Sequence, residues 1–153
     1  MTTPASIRKH PIHPMLVHFP VAFWTVAAVA YVAGAAGLSE AAAAIAAFSN
    51  AAGLIMAVFA MAAGLLELRA IDSRSAAMRV ATWHMMVMAT AWVCFLLALL
   101  LPTFSRAALD RSTAQLAGVA SAGVGFLLMS VGGWLGGRLV YEFGIGVKGQ
   151  PRP

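Results

Sequence analysis

Apolar residues fall in four long runs, near 15–37, 41–68, 80–101 and 115–141, separated by short polar breaks. Each run is about 20 residues or longer, enough to cross a hydrocarbon core of roughly 30 Å. Lipid offers no partner to backbone polar groups, so segments of this length satisfy them internally only as helices. The breaks, 38–40, LRAIDSRSAAMR and PTFSRAALDRSTA, hold little that could fold separately. The pattern therefore predicts an all-α fold: an integral membrane four-helix bundle, one four-span transmembrane domain over residues 1–153. Arg8 and Lys9 precede the first run and small residues follow it, as in a secretory signal, but the run is longer than a signal core and is expected to stay as a span. Pro14 and Pro20 fit a first-turn start and a local kink, and Pro102 is expected to stop the third helix. No repeat of fixed period stands out.

Composition agrees: 61% of residues are hydrophobic and 10% charged, where a water-soluble domain is about half apolar and a quarter charged. The net charge of +5 is explained by placement. Arg8, Lys9, Arg69, Arg74, Arg79, Arg138, Lys148 and Arg152 fall on the face that holds both termini; only Arg106 and Arg111 fall on the other. The positive-inside rule then puts both termini in the cytoplasm, with the basic excess against anionic headgroups and no nucleic-acid partner required. Cys94 is the single cysteine and lies within the third run, so it reads as a small core residue, with no disulfide framework and no CxxC motif. A P-loop, GxSxG, HExxH or dinucleotide fingerprint is absent from the sequence, and no catalytic residue is assigned.

The chemistry concentrates at one end. His10, His13 and His18 stand in HPIHPMLVHFP, where the first run begins, and His84 in RVATWHMM, just inside the third. Consecutive spans run in opposite directions, so both starts lie on the same membrane face. His18 is four residues past Pro14 and His84 five past Arg79, which at about 1.5 Å per residue gives them similar depth. An imidazole in hydrocarbon must find a partner, and a functional role is the default hypothesis for it. His18 and His84 are thus the candidate axial ligands of a b-type haem between two helices, with the second N–H of each ring directed to an acceptor. The alternative is that each ring is only hydrogen-bonded to a carbonyl. His10 and His13 precede the apolar core, where water reaches them, and are the lesser metal-ligand candidates. Glu67, at the end of the second run, suits an acceptor for His84 or His18, or an ion pair with Arg69, Arg79 or Arg138.

The small residues of AAAAIAAFSNAAG and GVASAGVGFLLMSVGGWLGG allow close helix approach, with Gly132/Gly136 and Gly133/Gly137 in GxxxG spacing. They suit tight packing or a flat cofactor; on the second reading Gly133, Gly136, Gly137 and Tyr141 join the cofactor site. Met78, Met85, Met86 and Met88 bracket His84 and thioethers favour Cu(I), but successive positions point around the helix, so packing is the simpler role. Trp24, Trp83, Trp92 and Trp134 read as belt or packing residues.

HPIHPMLVHFPVAFW, GLLELRAI, ATWHMM and the closing GGRLVYEFGIGV resemble the bacterial membrane proteins grouped as domain of unknown function 2231, over nearly the whole chain. The resemblance implies a small four-span protein of the bacterial inner membrane and supplies no activity. Its pattern marks His10, His13, His18, Glu67, His84, Gly136, Gly137, Tyr141, Gly144 and Gly146. Glu67 stands where aspartate is more usual and Phe143 where members often have histidine, which argues against a ligand from the end of the fourth helix.

The leading expectation is a membrane b-type cytochrome that passes electrons near the cytoplasmic face, with quinone or a redox protein as partner. A transport subunit that uses the same histidines and Glu67 as a proton or metal-ion relay is the alternative, with a transition metal or no cofactor. A third is a scaffold that forms a homo-oligomer through its GxxxG faces.

Overall fold

A computed structural model describes residues 6–7, 10–104 and 110–147; Arg8, Lys9, Arg106, Lys148 and Arg152 lie outside the described residues, as do the side chains of His10 and Arg111. A two-residue antiparallel pair, β1 (Ser6–Ile7) with β2 (His10–Pro11), leads into α1 (Ile12–Leu16) and α2 (His18–Ala35). Then come α3 (Ala42–Leu68), α4 (Ala76–Phe104) and α5 (Arg111–Tyr141). Helices α1 and α2 act as one span, Ile12–Ala35, and among the described residues four helices are long and apolar enough to cross a membrane. The predicted bundle of four spans is thus the observed one.

The helix ends follow from local chemistry. Asp110 caps α5 by accepting from the backbone N–H of Thr113 at 2.8 Å, and the Ser75 hydroxyl accepts from the N–H of Met78 at 3.1 Å at the start of α4. At the end of α2, Gly37 takes a left-handed φ of 68°, while the N–H groups of Leu38 and Gly37 donate to the carbonyls of Ala33 and Gly34. This is the Schellman closure that a glycine past the helix end permits.

Pro102 does not stop the third span, contrary to the expectation from sequence: α4 runs through it to Phe104. The missing N–H of Pro102 would have served the Ala98 carbonyl one turn back. The Tyr31 hydroxyl donates to that carbonyl at 3.1 Å instead. Asn50, wholly buried, donates through Nδ2 to the Tyr31 hydroxyl (3.1 Å) and to the Phe95 carbonyl (2.8 Å). One polar chain therefore ties α2, α3 and α4 together in the apolar interior. A polar group in lipid needs such partners, and the helix defect provides one of them.

Helix α2 packs on α3 and α4 on α5, giving two hairpins, which close on each other through α2 against α5 and α3 against α4. The hairpins repeat one another, which the sequence reading missed. Trp24 and Phe95, 71 positions apart, are both fully buried and stack face to face at 4.6 Å with planes 8° apart. Each lies on a glycine of the second helix of its own hairpin. A Cβ on Gly53 would come within 2.5 Å of Trp24, and one on Gly125, 72 positions later, within 3.0 Å of Phe95. The buried face of α3 (Ala42, Ala46, Gly53, Ala57, Ala60, Ala63) recurs at the same offset in α5 as Ala114, Gly118, Gly125, Met129, Gly132 and Leu135. Residue identities are mostly not repeated, so no period shows in the letters; what repeats is size and contact. Both hairpins begin at the same end of the bundle, so they are parallel repeats about an axis along it.

Candidate functional site: a histidine pair at one end of the bundle

Because the first helix starts at Ile12, His13 already projects from a helical turn, at the bundle end where α4 begins. Its Nδ1 lies 2.7 Å from the carbonyl oxygen of Ala60 on α3. His84, on α4, has Nδ1 2.8 Å from the carbonyl oxygen of Gly132 on α5. A carbonyl only accepts, so each ring carries its proton on Nδ1 and donates it. In the neutral imidazole this leaves Nε2 with its lone pair, free to bind a metal or take a proton. Among the described residues neither Nε2 has a hydrogen-bond partner. The two rings are neighbours in a T-shaped arrangement, with centroids 6.4 Å apart and planes at 88°. Both are partly buried.

Glycines give the rings room. A Cβ on Gly64 would lie 3.1 Å from Cε1 and Nδ1 of His13, and one on Gly136 would lie 3.4 Å from Cε1 of His84. Glu67, one turn past Gly64 and partly buried, accepts from the backbone N–H of His13 through Oε1 at a long 3.4 Å. Its carboxylate therefore belongs to the His13 side of the pair, and it reaches the main chain of that residue, not the ring of His84 or His18. Among the described residues the ion pair at this end of the bundle is Arg138 with Glu142, at 2.8 Å. The Arg138 guanidinium holds the Glu142 carboxyl below the usual carboxylate range and also lies 5.2 Å from the centre of the Trp134 ring.

His84 stands where the sequence placed it, but its partner is His13, not His18. His18 is exposed on the outside of the bundle. The reason is helical phase: five residues at 3.6 per turn rotate a side chain by about 140°. With the helix begun at Ile12, His13 faces inward and His18 outward. Tyr141 is 86% exposed, and Gly133 has nothing within 4 Å of a Cβ position, so both face away from the pair. Gly137 meets only Tyr141, at 3.9 Å. Gly136 alone of the predicted cofactor glycines borders a histidine. Met88 packs on Gly132, and Met86 is exposed, so the methionines do not converge. Trp24 is a core residue, whereas Trp83 and Trp134 are more than half exposed, as belt residues are. Gly64 and the carbonyls of Ala60 and Gly132 were not singled out from the sequence. The signal available was the shared GLLE and GGWLGG glycine spacing relative to each histidine.

Two shallow apolar grooves, of about 350 and 400 Å³, flank Val29 and Ala33 in the other half of the bundle, and neither touches the histidines. Among the described residues no group of three His, Cys, Asp or Glu side chains converges on one point. What the site offers is two imidazoles with ring centres 6.4 Å apart, each held through Nδ1 by a carbonyl of a neighbouring helix.

No curated protein and no solved structure matches the chain. A family model described as a predicted membrane protein, DUF2231, matches residues 9–149, which contain the four spans, both histidines of the pair and Glu67. Over that length the chain belongs to the DUF2231 family of predicted membrane proteins.

Proposed function

We propose that this protein is a membrane b-type cytochrome in which His13 and His84, not His18 and His84, are the axial ligands of one haem. The observation that carries the reading is the ring spacing. Two imidazoles on opposite sides of one metal, each at a metal–nitrogen distance of about 2.0 Å, have centroids roughly 6 Å apart; the His13 and His84 rings stand at 6.4 Å. The donor set supports haem over a bare ion. Two protein ligands are enough for a haem iron, whose macrocycle supplies the other four, while hydrated ions such as zinc are held by three or more.

Haem would supply reversible one-electron chemistry. The chain's own part is orientation and tuning. The Ala60 and Gly132 carbonyls hold each Nδ1–H, keeping Nε2 deprotonated and raising its basicity as a ligand. Glu67 places a carboxylate beside the main chain of His13. The surplus of arginine and lysine in the sequence at this end supports placing it on the cytoplasmic side of the bacterial inner membrane, with both termini there. Electrons would then be exchanged with quinone or a redox protein at that face.

The experiment is a visible spectrum of the detergent-purified protein, air-oxidised and then dithionite-reduced, with a pyridine hemochrome assay. The reading expects a Soret band that shifts on reduction, sharp alpha and beta bands, and about one haem per chain. A colourless protein from cells with ample haem would reject it; the same sample then goes to elemental analysis for a bare transition-metal ion and to proton-flux assay in liposomes.

A further inference from the structure

The two histidine anchors are one device built twice. His13 reaches a carbonyl 47 residues on and His84 one 48 residues on. In each case the residue four positions past that carbonyl is glycine, Gly64 after Ala60 and Gly136 after Gly132. In an α-helix the residue at i+4 sits directly over the carbonyl of residue i, and its Cβ stands beside the path to that oxygen. Glycine there lets an outside ring approach a carbonyl that is already part of the helix.

We infer that the centre is a two-fold site made of two equivalent half-sites, one per hairpin, and that Gly64 and Gly136 are positioning residues that seat His13 and His84 on the Ala60 and Gly132 carbonyls. The inference rests on the haem reading for its ligand and on the contacts alone for its geometry. The repeat that relates the rings is the one that relates Trp24 to Phe95 and Gly53 to Gly125, so the axis passes between both pairs. A ligand that suits such an axis looks alike from both sides, as a planar macrocycle with a metal at its centre does. The halves differ at Glu67, whose counterpart 72 positions on is Leu139, so at that position only the His13 half carries a carboxylate.

The space left decides how strongly each glycine matters. At Gly64 a Cβ would be 3.1 Å from two ring atoms, tighter than ordinary contact, so Gly64→Ala makes the His13 ring give by a few tenths of an ångström and the bulkier Gly64→Val displaces it from its carbonyl. At Gly136 a Cβ would be 3.4 Å from the ring, which a methyl tolerates, so displacement there needs Gly136→Val.

The test uses the full chain, labelled with ¹⁵N at histidine and studied by NMR in detergent in the dithionite-reduced state, beside visible spectra of the same samples. In the unaltered protein, two rings show a one-bond N–H splitting at Nδ1. Gly64→Val abolishes it for His13 and leaves His84; Gly136→Val does the reverse; Gly133→Ala, on the outer face, changes neither. If haem is present, Gly64→Val and Gly136→Val each also convert the low-spin spectrum to a high-spin one. Circular dichroism identifies a variant that has lost its helices, and the other half-site then supplies the answer. Nδ1 left unprotonated in both rings, or a Gly64→Val protein with His13 undisturbed, would overturn the inference whether or not haem is bound. A colourless protein with the predicted splittings would reject haem and leave the two-fold site standing.

Discussion

The rings of His13 and His84 cross at 88°, so the two imidazole planes are close to perpendicular. Perpendicular axial planes leave the two iron orbitals that overlap them nearly equal in energy, whereas parallel planes split them. If haem is held by these two rings as proposed, the ferric protein is expected to give a highly anisotropic low-spin signal in electron paramagnetic resonance, with one dominant low-field feature. A three-line rhombic spectrum would mean parallel planes.

A two-fold site has a second consequence for an asymmetric haem. Its two faces meet nearly the same surroundings, so a haem and its copy flipped about an axis in its own plane fit almost equally well. Proton NMR of the ferric protein is expected to show two sets of shifted haem methyl signals of comparable intensity. One set alone would mean that the residues that differ between the halves, Glu67 among them, fix a single orientation.

Pro102 and Tyr31 form a coupled pair through Ala98. Tyr31→Phe leaves the Ala98 carbonyl without its donor, and interhelical hydrogen bonds in membrane proteins contribute roughly 0.6 to 2 kcal/mol. The loss should shrink in a Pro102→Ala background, where the helix N–H returns. Denaturation of the four proteins in detergent measures the coupling; equal losses in both backgrounds would show that the hydroxyl does not serve the proline gap.

The stacked core makes a sharper demand on glycine. Gly53→Ala places a methyl 2.5 Å from the Trp24 ring and 2.7 Å from its Nε1, atoms that are fully buried. Overpacking of this kind typically costs about 1–3 kcal/mol. Gly125→Ala, at 3.0 Å from Phe95, is expected to cost less, and Gly123→Ala, with nothing within 4 Å, close to nothing. Thermal unfolding in detergent ranks the three.

At the opposite end of the bundle, hydrogen bonds from Ser112 and Thr113 hold the exposed Asp110 carboxyl far below the ordinary carboxylate range. A folded-state value below the unfolded one stabilises the helix start above the unfolded pKa, about 3.9, and the effect is lost only as pH falls through the lower folded value. The Thr113 amide resonance is therefore expected to stay in place through pH 4 and to move only in stronger acid. A shift centred near pH 4 would show that the cap does not form.

The four spans were legible because hydrocarbon thickness and backbone hydrogen bonding leave one solution for runs of this length. His84 lies at the end of the third span where the sequence put it, for the same reason. The ring it meets is that of His13 and not of His18, because pairing depends on helical phase, and phase is set by where the helix begins. Reading the start at residue 15, three past Ile12, left His13 in the watery approach and gave the inward position to His18. Pro102 was misjudged because a proline breaks a helix only if the carbonyl it abandons finds no other donor, and Tyr31 lies 71 residues away in sequence. The repeat was hidden because tryptophan and phenylalanine, or alanine and glycine, serve the same contact in the two halves.

The central claim is that His13 and His84 hold the iron together, and the direct measurement is the reduced and oxidised spectrum of His13→Ala, His84→Ala and His18→Ala proteins with haem per chain. The account predicts that the first two lose the six-coordinate low-spin spectrum and most of the haem while His18→Ala keeps both. Retention of a full low-spin spectrum by His13→Ala, or its loss in His18→Ala, would contradict it.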